Sequence, residues 1–417
     1  MNSPDRRQFL RTTAGGMAAS MLLPDLALLR PSLASGAPLV VALIGAGRQG
    51  RLILTELATI PEVDVRAVCD TDDSRLQAAL RRSPNFKGYA THKELLDKEK
   101  DVAAVIVATP THLHNAIVLD CLSAGKHVYC EAPLATTPED CKAIALAARA
   151  SGKTFASGFQ ARANPVYGLA RSFARSGSLR DTLMLRGAYG KKTSWRTPGS
   201  TPERDKELNW HLDPALSLGL LGEIGSHQFD VFHWFTGRFP VAARARGDIR
   251  FHKDGRTMAD TVACELRFED GLRLDYTATL GSSFEGRNEL LVGSNASIKL
   301  AWTHGWMFKE ADSATQGWEV YANRQEFHSD QGITQGITLI ADATKLAAQG
   351  KLTEGVGLPF TSLYYALVDF VKAASEGKAV ACSADEGART TLVSILAQRA
   401  LTSGGEVAID PKALEEL

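Results

Sequence analysis

The feature that most constrains the fold is a glycine-rich turn between an apolar strand and a helix. Leu39–Ile44 is a short apolar run, Gly45–Gly50 reads GAGRQG, and a helical pattern extends over Arg48–Ala58. In this context the first glycine permits a tight turn, the second lets a ligand approach the backbone, and the third lets the helix pack closely on the strand. The free amides at the start of such a helix attract anions. The turn therefore predicts a phosphate-binding strand–turn–helix unit.

An acidic residue follows the next predicted strand. Val63–Cys69 has a strand pattern, and Asp70 lies twenty residues after Gly50. An acid at this place accepts hydrogen bonds from the adenosine ribose and repels a 2′-phosphate, so we expect NAD as the cofactor. Arg75 is close enough in sequence to leave NADP as an alternative. The residues expected to contact the cofactor at the turn are Gly45, Ala46, Gly47, Arg48, Gln49 and Gly50.

The pattern of elements predicts an α/β protein with two domains. Strands and helices alternate in the first part, and Asp101–Ala108 is a nearly continuous apolar run, as in a parallel strand covered on both faces. Later strands such as Thr182–Tyr189 follow one another without helices, and Glu269–Gly271 is a hairpin signal. We expect a doubly wound parallel Rossmann sheet over residues 38–160. Residues 161–417 should form a substrate-binding α/β domain with a mostly antiparallel open sheet and closing C-terminal helices.

The N-terminal segment has the layout of a twin-arginine export signal. Arg6–Arg11 reads RRQFLR, a mildly apolar stretch follows, and small residues over Ser32–Ala37 offer a cleavage site. We therefore expect residues 1–37 to be a signal, the twin-arginine translocase to be a partner during export, and the mature protein to be periplasmic. The alternative is a basic tail without a targeting role.

Composition excludes several other classes of protein. The chain of 417 residues has 47 basic and 47 acidic side chains, and no long basic run that would track nucleic acid. No apolar stretch outside the N-terminal segment is long enough for a membrane span. The cysteines lack CxxC spacing, so we predict neither a metal site nor a disulfide framework. They are Cys69, Cys121, Cys130, Cys141, Cys264 and Cys382.

Several longer segments resemble the family of glucose–fructose oxidoreductase, inositol dehydrogenase and MocA. The likeness covers most of the chain after the signal and is strongest from Val40 to Asp230. Besides the turn and Asp70, its motifs are ATPTHLHNAIVLDCLSAGKHVYCEAPLATT at 108–137, GFQARANP at 158–165, WHLDP at 210–214 and GEIGSHQFD at 222–230. The resemblance implies a nicotinamide-dependent enzyme that acts on sugars, polyols or cyclitols and assembles as a homo-oligomer through its open sheet.

The resemblance also implies which further residues face the ligands. Thr109, Pro110 and His114 follow a parallel strand, at the sheet edge where ligands bind, and join Glu131 and Pro133 as expected cofactor contacts. Arg162, His211 and Asp230 lie in segments similar to the edges of the family's substrate pocket.

One departure from the family pattern falls at the most informative position. The usual Glu-Lys-Pro is Glu131-Ala132-Pro133 here. In the family this lysine commonly polarises or deprotonates the reacting hydroxyl, which alanine cannot do. Lys191 and Lys192 are candidates to replace it in space.

A histidine is the remaining candidate for proton transfer. Histidine titrates near neutral pH without tuning, and His227 matches the family's catalytic histidine. Glu223 and Asp230 lie four residues before and three residues after it, so an α-helix would place all three on one face. We expect catalytic roles for His227 and Glu223, whereas Asp230 would orient the imidazole or support the helix. The alternative is a structurally bonded histidine.

Three functions compete at this stage. The first is an exported NAD(P)-dependent oxidoreductase for a sugar or polyol. The second is a redox-neutral glycosidase or lyase that oxidises a ring hydroxyl transiently with bound NAD, since some relatives that work this way lack the lysine. The third is a sugar-binding protein without activity. Because free dinucleotide is scarce outside the cytoplasm, either enzyme should hold its cofactor tightly.

Overall fold

The computed structural model describes most of the chain after the N-terminal segment. The predicted signal lies outside the described residues except for Ala37, and residues 37–417 form one compact unit. The described residues are 37–313, 323–329, 332–340, 346 and 357–416.

The first half of this unit is built on a six-stranded parallel sheet in the order β3-β2-β1-β4-β5-β6. Its strands are β1 (Leu39–Ile44), β2 (Val63–Cys69), β3 (Lys87–Tyr89), β4 (Ala104–Val107), β5 (His127–Cys130) and β6 (Phe155–Ser157). Strand β4 is buried along its whole length, as its apolar sequence predicts. The order reverses between β1 and β4, and the carboxyl ends of strands at such a point form a ligand crevice. The predicted doubly wound parallel sheet is confirmed.

Helices connect these strands, and three of the five begin at a side-chain cap. They are α1 (Arg48–Leu57), α2 (Asp73–Leu80), α3 (His92–Lys98), α4 (His114–Ser123) and α5 (Pro138–Ser151). Thr137 caps α5 by accepting a hydrogen bond from the amide of Asp140, and proline occupies the first helical position. In the same way Asp72 caps α2 by accepting from the amide of Arg75.

The second half contains a ten-stranded sheet in the order β14-β15-β13-β12-β11-β7-β10-β9-β8-β16. Its described strand pairs are antiparallel except β7 with β10, which are parallel. Residues alternate along β10 between buried and exposed positions, so one face of the sheet is covered and the other is open. The predicted mostly antiparallel open sheet is confirmed. The strands are β7 (Thr182–Gly190), β8 (Ala242–Asp248), β9 (Thr261–Arg267), β10 (Arg273–Thr279), β11 (Arg287–Gly293), β12 (Ala296–Ala301), β13 (His304–Lys309), β14 (Asn323–Ser329), β15 (Gly332–Thr338) and β16 (Val407–Ala408).

The remaining helices follow β6 along the chain, and the last of them close it. They are α6 (Pro165–Arg175), α7 (Pro202–Leu208), α8 (Gly225–Thr236), α9 (Ser362–Glu376), α10 (Ala384–Ser403) and α11 (Pro411–Glu415). The C-terminal helices also contact the Rossmann sheet. The Thr391 hydroxyl accepts a hydrogen bond of 3.1 Å from the amide of Leu134, and the Ser157 hydroxyl donates one of 2.9 Å to the carbonyl of Ser383. The end of the chain therefore ties the two sheets together.

The six cysteines are free and buried. Among the described residues, no helix combines the length and the apolar character that crossing a membrane requires. The same residues contain no group of three or more metal-ligating side chains suited to an ion.

Candidate functional site

The glycine-rich turn has the shape of a phosphate cradle. Gly45 has a φ of +99°, and a Cβ there would lie 2.5 Å from the carbonyl oxygen of Ala108. A Cβ on Gly50 would lie 1.9 Å from the carbonyl oxygen of Gly45. At Gly47, by contrast, the nearest atom is the Arg75 guanidinium at 3.7 Å. Packing within the protein thus explains Gly45 and Gly50, while Gly47 borders space that a diphosphate would fill, so the turn fits a dinucleotide.

Asp70 is fixed beside this turn. Its carboxylate accepts hydrogen bonds of 2.7 Å from the amide of Ala46 and 2.8 Å from the amide of Asp72. Burial raises the pKa of Asp70, while the Ala46 hydrogen bond and the charges of Arg75 and Arg204 oppose that rise. Each carboxylate oxygen can accept a further hydrogen bond, so the residue remains able to hold ribose hydroxyls.

Two loops at the carboxyl ends of β4 and β5 are joined by His114. Its Nδ1 lies 3.1 Å from the carbonyl of Pro133 and its Nε2 lies 2.9 Å from the carbonyl of Thr109. Burial lowers the pKa of His114 to about 4, so the imidazole is neutral at physiological pH. His114 thus lies buried between the Thr109–Pro110 and Glu131–Pro133 loops, and its neutral ring, with a single N–H, donates to one of the two carbonyls.

Glu131 connects the end of β5 with the turn. The Gln49 side-chain amide donates a hydrogen bond of 2.9 Å to Oε1 of Glu131. Gly158 passes so close that a Cβ there would lie 2.6 Å from Oε2 of Glu131. Burial raises the pKa of Glu131 to about 7. This carboxyl group adjoins Ala132, where the family pattern has lysine. Like His114, it is a buried titratable group at this edge of the sheet.

Glu223 links the second domain to the Rossmann sheet. It lies in a π-helical turn, Leu220–Ile224, that leads into α8, and not on one continuous α-helix as the sequence predicts. The Thr111 hydroxyl donates a hydrogen bond of 2.8 Å to one carboxylate oxygen. The Ser217 hydroxyl and the Leu218 amide donate to the other oxygen at 3.2 and 3.3 Å. Burial raises the pKa of Glu223 to about 7.

His227 follows on the first turn of α8. Its ring packs edge-on against Phe159 with 5.5 Å between ring centroids, and no hydrogen bond joins its imidazole to another residue in the described part of the chain. Burial, and secondarily the charge of Arg287, lowers the pKa of His227 to about 3. The ring is thus neutral and able to accept a proton. The next residue, Gln228, fixes the helix on the sheet by donating to the carbonyls of Ala188 and Asn288 at 3.0 and 2.8 Å.

Arg162 and Asp230 form a buried ion pair. The guanidinium donates to both carboxylate oxygens at 2.8 to 3.1 Å, and the two side chains are 5% and 0% exposed. Thr390 also donates to Asp230, and Glu386 contacts Arg162 at 2.6 Å. The contacts of Asp230 therefore go to Arg162 and Thr390 and not to the imidazole of His227. The substrate contacts predicted for Arg162 and Asp230 stay a prediction, while the structure shows them bonded to each other.

His211 belongs to an aromatic cluster on the segment between β7 and α8. Its ring stacks on Trp210 at 3.7 Å and lies 5.1 Å from Trp195. Trp195 has a φ of +63°, an uncommon backbone conformation for a bulky residue. Burial, together with the charge of Arg48, lowers the pKa of His211 to about 4. Among the candidates to replace lysine, the ammonium of Lys192 lies 5.2 Å above the ring of Phe251.

Four residues of this region were missed by sequence reasoning. Thr111, the partner of Glu223, adjoins the predicted Thr109–Pro110 loop, and that position is the one signal the sequence offered. Gln228, Arg287 and Arg204 act through contacts with residues far away in the chain, for which no local pattern exists.

Comparisons with known proteins agree with this architecture. Residues 39–159 match a Gfo/Idh/MocA model described as "Oxidoreductase family, NAD-binding Rossmann fold". Residues 192–409 match the companion model, "Oxidoreductase family, C-terminal alpha/beta domain". The chain is 26% identical to levoglucosan dehydrogenase of Pseudarthrobacter phenanthrenivorans over 85% of this chain and 93% of that protein. It is 30% identical to inositol 2-dehydrogenase 2 of Saccharopolyspora erythraea over 62% of this chain and 72% of that protein.

Solved structures share the fold over nearly the whole chain. A levoglucosan dehydrogenase in complex with NADH and levoglucosan matches with a TM-score of 0.71 and 22% identity, over 90% of this chain and 100% of that one. An aldose-aldose oxidoreductase from Caulobacter crescentus in complex with glycerol matches with a TM-score of 0.68 and 19% identity, over 89% and 100% of the two chains. With an NAD-binding Rossmann domain followed by the matching C-terminal domain, this protein belongs to the Gfo/Idh/MocA family of oxidoreductases.

Proposed function

We propose that the protein oxidises a hydroxyl group of a sugar, polyol or cyclitol with NAD. The observation that carries the proposal is the hydrogen bond from Thr111 to Glu223. Thr111 follows β4 at the crevice of the Rossmann sheet, and Glu223 lies one helical turn before His227. This contact brings the acid–base groups of the second domain to the sheet edge where the cofactor is expected. The named relatives, dehydrogenases of levoglucosan and inositol, support the same substrate class.

The residues present divide the reaction between them. The chemistry that bound NAD would supply is that of a hydride acceptor for the carbinol carbon. His227 accepts the hydroxyl proton, which becomes strongly acidic as the hydride leaves the carbon, so that even an imidazole with a pKa of about 3 can take it. The ring is neutral and bears no hydrogen bond from the described residues. The ionised Glu223 accepts a hydrogen bond from a substrate hydroxyl and orients it, since its three donors hold the carboxylate in place. Together these groups take over proton transfer at a site where Ala132 replaces lysine.

The cofactor in this proposal is NAD, tightly held. Asp70 stands where a 2′-phosphate of NADP would be repelled, and three of the similar solved structures are levoglucosan dehydrogenase complexes with NADH. The test is the mass and ultraviolet spectrum of the nucleotide released from purified, denatured protein. We expect NAD or NADH in near-stoichiometric amount; release of NADP alone would contradict the assignment.

The catalytic assignment is tested with His227→Ala. We expect kcat for NADH formation with levoglucosan, inositols or aldoses to fall at least about 100-fold while nucleotide binding persists. His92→Ala is the matched control, since His92 lies on helix α3 and contacts Asp120 at 2.8 Å. Unchanged turnover in His227→Ala would remove this residue from the mechanism.

A redox-neutral glycosidase or lyase is the second candidate, and one observation favours it. Besides the absence of the lysine at Ala132, the site holds two carboxyl groups, Glu131 and Glu223, with pKa values raised to about 7. Such a group can protonate a leaving aglycone near neutral pH. Incubation with glycosides and no added NAD distinguishes the two enzymes: aglycone release supports this candidate, and NADH accumulation supports the dehydrogenase. Bound dinucleotide without any turnover would point to a sugar-binding protein.

We further propose that the protein is exported by the twin-arginine route to the periplasm. The support is the RRQFLR motif at Arg6–Arg11 and the six free cysteines, which suit folding in a reducing compartment before export. Replacement of Arg6 and Arg7 by lysine should retain the protein in the cytoplasm in cell fractionation. Periplasmic recovery of that variant would contradict the route.

A homo-oligomer formed through the open sheet is part of the same proposal. Apolar side chains on β7 are exposed, with Leu183 at 60% and Met184 at 42%. Light scattering coupled to gel filtration should show a multiple of the mass of the purified chain, which is 44.9 kDa with the N-terminal segment present, and Met184→Lys should shift it toward the monomer. A monomer in the wild type would contradict this expectation.

A further inference from the structure

Helix α7 reaches from the segment between β7 and α8 to the adenosine end of the Rossmann domain. Its Arg204 forms an ion pair with Asp72, and the two side chains are 24% and 13% exposed. Asp72 follows Asp70 by two residues, and the Asp72 amide donates a hydrogen bond of 2.8 Å to the Asp70 carboxylate. The ion pair thus lies immediately beside the residue proposed to hold the adenosine ribose.

Polar contacts are prominent among those that fix α7 in place. None of its residues is buried, so little apolar surface holds it against the rest of the molecule. Thr201 caps the helix by accepting from the Arg204 amide, and Asn209 donates to the carbonyls of Thr197 and Asp205 at 2.9 and 2.7 Å. Across the domain junction, the Arg204 side chain supplies the ion pair. An element held in this way opens more readily than a helix with a buried apolar face.

We propose that the Arg204–Asp72 ion pair is a latch that retains the cofactor. Helix α7 must part from the loop after β2 before the adenosine ribose can leave Asp70, so the ion pair slows dissociation of the nucleotide. The inference rests on the proposed function, since it requires that NAD binds at the glycine-rich turn. Such a latch suits an enzyme that holds its cofactor tightly, as proposed above. The charge of Arg204 also acts on Asp70, in agreement with their proximity.

Removal of each charge of the ion pair in turn tests the latch, because the direction of the change in the NAD dissociation rate differs between the two explanations. NAD is an anion, so removal of Asp72 charge would slow its dissociation if the charges acted on it only through space. Removal of Arg204 charge would speed dissociation under the same view. A latch predicts faster dissociation for both changes, because either one breaks the ion pair. Asp72→Asn is suitable because asparagine still caps α2, where Asp72 accepts from the Arg75 amide at 2.9 Å.

The experiment measures dissociation of NADH from the full chain by stopped-flow fluorescence after mixing with excess NAD. We compare the wild type with Arg204→Met, Asp72→Asn and the double variant. Lys206→Met is the matched control. Lys206 lies on the exposed side of the same helix, and its substitution removes one positive charge, as Arg204→Met does. Thermal unfolding of each apo variant verifies that the fold is retained.

We expect dissociation to accelerate roughly tenfold in Arg204→Met and in Asp72→Asn, with no additional effect in the double variant and less than about twofold in Lys206→Met. In the wild type, 1 M NaCl should also accelerate release, because salt screens partly exposed ion pairs. Slower or unchanged release from Asp72→Asn would overturn the latch while leaving the proposed function intact. Absence of any NADH binding by the wild type would overturn both.

Discussion

At the scale of single residues, the site is defined by groups whose ionisation is changed by burial. Glu223 carries a pKa raised to about 7, whereas His227 carries one lowered to about 3. In both cases loss of hydration disfavours the charged form. Near neutral pH the imidazole of His227 is therefore neutral and the carboxyl group of Glu223 is close to its pKa, so Glu223 is the one of the two whose charge changes with pH in this range.

This difference predicts the pH dependence of oxidation. The carboxylate form of Glu223 is the one that accepts hydrogen bonds, and it is lost as pH falls below about 7. We expect kcat/KM to rise with pH through an apparent pKa of about 7 and then to level off. Glu223→Gln should lose this limb while keeping the fold, since the glutamine oxygen can accept from Ser217 and Leu218 and its amide can donate to Thr111.

Glu131 provides the control for this pH profile, because its pKa is also raised to about 7. If Glu223 is responsible for the rise of kcat/KM with pH, the Glu131→Gln variant should retain that rise. A limb that persists in Glu223→Gln and disappears in Glu131→Gln would transfer the role to Glu131.

The buried ion pair of Arg162 and Asp230 gives a second prediction for single residues. Asp230→Asn removes the fully buried one of the two carboxylates that compensate the Arg162 guanidinium, the other being Glu386, and we expect a loss of about 2 kcal/mol in the free energy of unfolding. Asp275→Asn, on the exposed face of β10, should change it by less than about 0.5 kcal/mol. Denaturant titration measures both, and an Asp230→Asn variant of wild-type stability would contradict the structural role.

At the scale of elements, the glycines of the strand–turn–helix unit have two different roles, one in packing and one in ligand binding. Gly50 is needed where α1 crosses β1, whereas the Cβ position of Gly47 meets no atom of the structure closer than 3.7 Å. The same unit therefore contains one glycine required by the fold and one that faces the expected cofactor.

This distinction predicts opposite behaviour for two alanine variants. Gly47→Ala should leave the thermal stability of the apo protein nearly unchanged and weaken NAD binding at least about tenfold, because the methyl group would occupy the place of the diphosphate. Gly50→Ala should lower stability by roughly 1–3 kcal/mol, since its Cβ would lie 1.9 Å from the Gly45 carbonyl. Calorimetry for NAD affinity and for unfolding distinguishes them, and full-strength NAD binding by Gly47→Ala would contradict the cradle.

At the scale of the whole molecule, the C-terminal helices couple the unfolding of the two domains. Helix α10 packs on β6 so closely that a Cβ on Gly387 would lie 2.1 Å from the hydroxyl oxygen of Ser157. The ring of Phe370 on α9 lies 5.8 Å from that of Tyr129 on β5. The last helices of the chain are therefore part of the core of its first domain.

We consequently expect one cooperative unfolding transition for both sheets. Gly387→Ala should lower the midpoint of that single transition by several degrees, because either helix or strand must shift. Gly168→Ala is the matched control, since its Cβ on α6 would meet nothing within 4 Å and alanine favours the helix. Two separate transitions in differential scanning calorimetry would contradict the coupling.

The sequence by itself determined the features whose causes are local. The glycine turn, Asp70 after β2, the apolar β4 and the capped start of α5 each depend on residues close together in the chain, so their patterns predicted the fold class and the cradle. Only the tertiary structure decided the partners of distant side chains. It paired Asp230 with Arg162, bonded Glu223 to Thr111 across a π-helical turn and placed Arg204 on Asp72. Spacing fixes which residues share a helix face, but ion pairs and burial arise when separate elements meet, and these contacts set the pKa of each group.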